Sequence, residues 1–131
     1  MSDTTDLETP HRRPHPPPLA AAYLEFDLAR EIEQLHHEPA WATGQNARTL
    51  LKYDDLRVVL MALRAHARVP KHQTEGRISI QTIRGHIQVR ATGRTFDLPL
   101  GGLLALDRGL PHDVEAIEES VVLLTIAWPM P

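Results

Sequence analysis

The stretch Arg77-Ile78-Ser79-Ile80-Gln81-Thr82-Ile83-Arg84-Gly85-His86-Ile87-Gln88-Val89-Arg90-Ala91-Thr92-Gly93-Arg94-Thr95-Phe96-Asp97-Leu98 decides the fold class. Ile78, Ile80 and Thr82 fall on one face of an extended chain, because successive side chains on a strand point to opposite sides. Arg84-Gly85 supplies a turn. His86–Ala91 alternates again, with Ile87 and Val89 opposite the polar row His86, Gln88 and Arg90. Thr92-Gly93 then turns into Arg94–Leu98. Period-two alternation broken at glycines reads as antiparallel β-structure, with one face buried and one solvated.

The same grammar extends both ways. Upstream lie a strand at Arg48–Lys52, a turn at Asp54-Asp55 and a Val- and Leu-rich strand at Leu56–Arg64. Downstream, the Gly101-Gly102 corner leads into Leu103–Leu106, and Gly109 ends that segment. His112–Ile117, a turn at Glu118-Glu119-Ser120 and Val121–Trp128 close the chain. About eight or nine short strands punctuated by turn residues predict an all-β sandwich or barrel.

Two strands are apolar on both faces: Val58-Val59-Leu60-Met61-Ala62-Leu63 and Val121-Val122-Leu123-Leu124. Both of their faces need cover. A second copy of the chain would supply it as a two-fold homodimer. The alternative is cover by the N-terminal arm and helix alone.

The N-terminal part is built differently. Pro10, Pro14, Pro16, Pro17 and Pro18 cluster in a stretch with little apolar content beyond Met1 and Leu7. Residues 1–18 read as a disordered, Pro-rich tail, or as a ligand for a proline-binding module. Residues 19–47 form an N-terminal arm and helix, and residues 48–131 the barrel. The helix covers 27–38: Asp27 caps it, Leu28, Ile32 and Leu35 recur at helical spacing, and Pro39 stops it. His36 and His37 fall in its last turn, where cationic rings suit the helix dipole. Neighbours on a helix point about 100° apart, which disfavours a shared metal.

Composition removes several function classes. There is no cysteine, so disulfides, thiolate metal sites and cysteine nucleophiles are excluded. The chain suits a reducing, cytoplasmic setting. A net charge of −3 argues against a nucleic-acid partner. No apolar run approaches the ~18–20 residues of a membrane span. Ser2, Ser79 and Ser120 lack a nucleophile-elbow context. Gly101-Gly102 precedes a strand, so it is no phosphate loop. Arg64, Arg68 and Lys71 form the densest basic group. They could attract an anion, or simply form a solvated rim paired with Glu75 or Asp113.

Two histidines stand in informative contexts, each at a turn before a predicted strand: His72 in Val69-Pro70-Lys71-His72-Gln73-Thr74-Glu75-Gly76, and His112 in Asp107-Arg108-Gly109-Leu110-Pro111-His112. Four strands separate them, so a barrel can bring them together across its lumen. On these residues the chain resembles the cupin superfamily over about residues 48–128. Gly101, Gly109 and His112 fit that family's second motif, with Asp107 at the proline position and Ala116 at the asparagine position. The first motif, anchored on Gly85, aligns its two histidines with His72 and Thr74. It aligns its glutamate with Ile78 or Ser79, and its opening glycine with His66. The resemblance implies a double-stranded β-helix (jelly-roll) barrel with a short N-terminal helix.

It also implies a divalent transition metal (Fe, Mn, Ni, Cu or Zn) held by three His and one Glu, a donor set such metals favour. Only His72 and His112 remain of those four ligands. Gln81 and Glu115 have the wrong strand parity to replace the others, and Glu75 sits in a turn. His66 reaches the site only if the 65–71 loop folds back. Two functions follow. One is a barrel binding a small molecule near His72, Thr74, Ile78 and His112, as a sensor or stress-associated protein. The other is a metal-dependent dioxygenase or isomerase using an atypical two-His set. A third reading makes the tail a docking element for a partner.

Overall fold

In the computed structural model, residues 18–129 are described. The expected tail therefore lies outside the described residues, apart from Pro18. Asp27 caps α1 (Leu28–His37), its carboxylate accepting from the Arg30 amide at 3.3 Å. A single 3-10 turn, Pro39–Thr43, ends in left-handed Gly44. Nine strands follow: β1 (Gln45–Lys52), β2 (Leu56–Leu63), β3 (Arg68–His72), β4 (Arg77–Arg84), β5 (His86–Ala91), β6 (Arg94–Pro99), β7 (Leu103–Leu106), β8 (His112–Ala116) and β9 (Ser120–Ala127).

The strands form two antiparallel sheets, ordered β1-β2-β9-β4-β7 and β3-β8-β5-β6. They enclose one interior. From the five-stranded sheet, Leu63, Ile78, Ile80, Leu106 and Val122 face Ile87, Val89, Ala91, Leu98, Val114 and Ala116 from the other. The chain crosses between the sheets repeatedly, so every strand runs between the same two ends of the barrel. One end collects the starts of β2, β4, β6 and β8 with the finishes of β3, β5, β7 and β9. The registers tie these together: Arg57 pairs with Ile126, Ile78 with Ile126 and Leu106, and His112 with His72 and Ala91.

The both-faced apolar strands are explained by two separate cores. Met61, Leu63, Val122, Leu124 and Ile126 look into the barrel. Leu60, Ala62 and Val121 look outward and are buried beneath Ile32 and Leu35 of α1. Arg48 fixes the helix on that face by bonding Glu31 at 2.8 Å, Gln34 at 2.7 Å and Glu38. The arm and helix thus cover much of the area for which a second copy was expected. Beyond them, Leu103 stays 64% exposed on β7, and Leu100 stays 68% exposed just before it.

Three expectations need correction. The first strand begins at Gln45 rather than Arg48. The 65–71 segment is not a free loop, because Arg68–His72 forms β3 by pairing with β8. Pro70 interrupts that ladder, as a residue without an N–H must, and this hides the strand from periodicity. His72 therefore ends a strand instead of opening one.

Candidate functional site

His72 and His112 meet, but not across the lumen. They are register partners on adjacent strands β3 and β8, with ring centroids 4.3 Å apart and planes tilted by 59°. Parity sets His112 inward: His112, Val114 and Ala116 are buried while Asp113 and Glu115 face out. Its residue exposure is 1%. His72, at the strand end, is exposed.

The two rings are anchored alike. His72 Nδ1 lies 3.0 Å from the Pro70 carbonyl, and His112 Nδ1 lies 3.0 Å from the Leu110 carbonyl. A carbonyl only accepts, so each Nδ1 carries the proton and donates it. Each Nε2 is left with a free lone pair. For His112 that atom is buried and has no hydrogen-bond partner. Burial pushes the His112 pKa below the usual histidine value, and neighbouring His72 adds to the shift. The ring is therefore neutral at pH 7, with its acceptor aimed at nothing in the protein.

The other expected residues are placed differently. Thr74 turns away to local work: its hydroxyl accepts from the Gly76 amide at 3.3 Å, and its carbonyl accepts from Gly109 at 2.9 Å. Ile78 is a core side chain at the same end of the barrel as the histidines. His66 does not reach the site. It adopts a left-handed backbone (φ 70°) beyond the other end of β3, and its amide bonds the Ala116 carbonyl at 2.8 Å. Ala116 is four residues along β8 from His112, about 13 Å at the rise of an extended strand. Among the described residues, no three His, Asp or Glu side chains gather as a metal cage. The donors present therefore fit two ligands of a metal but not the four-ligand set.

The basic group is mostly engaged. Arg68 pairs with Glu115 at 3.1 Å, rather than with Glu75 or Asp113, and Arg64 stacks over Trp41 at 5.3 Å. On the outer face of the smaller sheet, Arg90 grips Asp113 at 3.0 Å and Glu115 at 2.8 Å. His86 meets Asp97 at 2.7 Å. This is the solvated polar row expected from the alternation.

Sequence reading passes over Arg57. It is the second residue of otherwise apolar β2, and its parity with Met61 and Leu63 was the available signal that it faces inward. Its Nε is buried without a hydrogen-bond partner, and its guanidinium lies 5.4 Å from the Trp128 ring.

No family model matches the chain, and no curated protein matches it. Solved structures do. A cupin superfamily protein from Desulfitobacterium hafniense aligns with TM-score 0.63 at 13% identity, over 65% of this chain and 78% of that one. A cupin domain from Schizosaccharomyces pombe aligns with TM-score 0.62 at 20% identity, over 65% of each. Salicylate 1,2-dioxygenase from Pseudoaminobacter salicylatoxidans aligns with TM-score 0.71 at 15% identity, over 78% of this chain. This chain spans only 32% of that enzyme. Likeness at such identities speaks for architecture. The chain is a small cupin-type barrel.

Proposed function

We propose that the chain binds a small molecule at the end of its barrel where His72 and His112 meet, with His112 Nε2 accepting a hydrogen bond from the ligand. The observation that carries this reading is the buried, unpartnered Nε2 of a neutral ring held in one tautomer. A buried acceptor without a partner costs about 1–3 kcal/mol, so a donor from a ligand gains that much on arrival. The barrel core, with Ile78 and Leu106 and the partly buried Leu110, Phe96 and Ile126 packed against it, offers apolar surface for the body of the ligand. No reaction is assigned. The setting we propose is cytoplasmic. Among the described residues, no helix is long and apolar enough to cross a membrane.

A second reading rests on the paired anchoring of both rings. An imidazole whose Nδ1–H is held by a carbonyl is oriented as metal-ligating histidines are. His72 and His112 would hold the metal, and it would supply Lewis-acid or oxygen chemistry there. Thr74 and Ile78 at the other two positions argue against tight binding. Elemental analysis of untagged protein, dialysed against chelator, decides between the two. The small-molecule reading expects no stoichiometric metal. Stoichiometric metal that is lost in His72→Ala and His112→Ala would overturn it.

We also keep the two-fold homodimer as a proposal, now resting on exposed Leu100 and Leu103 beside edge strand β7. Sedimentation at micromolar concentration should give twice the chain mass. A clean monomer refutes it.

A further inference from the structure

We infer that Arg57, with Lys52 beside it, forms an anion-binding end of the lumen site, and that the ligand is a small carboxylate with an apolar body. This rests on the binding-site reading above and adds the chemical class. Arg57 and Lys52 are register partners across β2 and β1. Partners in an antiparallel pair share a face, so two cations stand side by side, an unfavourable arrangement by itself. Among the described residues neither makes an ion pair, a state they share with strand arginines Arg84 and Arg94, whereas Arg48, Arg68, Arg77 and Arg90 each have an acidic partner. Asp54 and Asp55 in the adjoining turn are not within ion-pair distance of either.

The placement gives the pair a role. Arg57 shares its parity with Met61 and Leu63, which line the interior, and it pairs with Ile126, which packs against the same core. It stands at the end of the barrel where His72 and His112 also lie, but on the opposing sheet. Trp128 flanks its guanidinium, and its buried Nε–H has no acceptor. The site therefore presents unused donors on one sheet and an unused acceptor on the other. A ligand satisfying both carries an anion at one end and a hydroxyl or amine donor at the other. One guanidinium fork matches one carboxylate, and the apolar walls suit a carbon skeleton better than a heavily hydrated phosphate dianion.

The test titrates the full chain with 4-hydroxybenzoate, its neutral relative 4-hydroxybenzamide and inorganic phosphate. Binding is followed through the imidazole NMR signals of His72 and His112 and the indole N–H of Trp128. The acid should shift His112 and Trp128 saturably. The amide should bind at least about tenfold more weakly, the effect of losing one charged hydrogen bond. Arg57→Gln should remove the preference, so that acid and amide bind alike. Arg57→Lys, which keeps the charge but loses the fork, should fall between. It also serves should the first variant fail to fold. Lys52→Gln should weaken the acid by a smaller factor. A preference that survives Arg57→Gln overturns this inference and leaves the histidine site standing. An acid that binds without moving the His112 signals overturns the site reading itself. No saturable shift up to the acid's solubility limit, or phosphate binding as tightly as the acid, overturns the carboxylate class.

Discussion

The two ends of the barrel treat buried polar groups in opposite ways. At the end where β4 turns into β5, the buried strand hydroxyls are partnered. Ser120 Oγ accepts from the His86 amide at 2.9 Å and donates within reach of the Glu118 and His86 carbonyls. Thr82 Oγ1 donates to the Leu98 carbonyl at 3.0 Å, and Thr82 exchanges backbone bonds with Gly101 and Gly102. At the other end, His112 Nε2 and Arg57 Nε are buried without partners. The third such atom, His36 Nε2, belongs to the last turn of α1, outside the barrel interior, 3.9 Å from Glu119 near the β4–β5 end. Satisfied groups hold a structure together, while unsatisfied ones inside an otherwise well-formed core point to something that arrives later. One end is built for stability, and the other is the one for which we propose binding.

The largest effect should come from the closed end. Gly85 has φ +81°, and a Cβ there would lie 2.3 Å from the Glu119 carbonyl and 2.4 Å from Ser120 Oγ. Gly85→Ala should destabilise by about 3 kcal/mol or more, through backbone strain and overpacking together, as read by chemical denaturation. A loss below about 1 kcal/mol would show that this turn is not the tight closure described. Next, Ser120→Ala should lower stability by about 1–3 kcal/mol, because it strips the His86 amide of its acceptor. The matching change at the other end, His112→Leu, should alter stability by about 1 kcal/mol or less while ending ligand binding. Equal losses from the two substitutions would erase the contrast.

Acid sharpens the same comparison. The His112 pKa is lowered in the folded state, chiefly by burial. Below the ordinary value near 6.5, the unfolded chain takes up a proton that the folded chain resists. Stability should therefore fall as pH drops from about 6.5 toward the folded pKa, and His112→Leu should flatten that slope in thermal melts taken between pH 7 and 5. An unchanged slope would assign the acid sensitivity elsewhere. The smallest effect belongs to His66. His66→Gly relieves a left-handed backbone and should stabilise by about 1 kcal/mol or less. It should leave ligand binding unchanged, which checks that His66 is no part of the site.

Alternation and glycine punctuation carried the β-class, eight of the nine strands in outline, and the helix with its Asp27 cap and Pro39 stop. These are local properties, written in every second or fourth residue. The inward setting of His112 also followed from parity with Val114 and Ala116. β3 did not follow, because Pro70 breaks the ladder and because its pairing with β8 joins residues some forty positions apart in the chain. The meeting of His72 with His112 on one sheet, the exclusion of His66 and the company of Arg57 depend on that pairing and on the way the two sheets close.

What the sequence by itself determined is which side chains point inward once a strand exists, since backbone geometry makes that a matter of counting. What only the tertiary structure decided is which inward polar atoms find partners. Ser120, Thr82 and His112 are all buried polar residues in β-strands. The first two lie where turns bring carbonyls and amides within reach, and the third has a partner for Nδ1 but none for Nε2. Satisfaction of a polar atom depends on groups distant in sequence, and no local pattern encodes it.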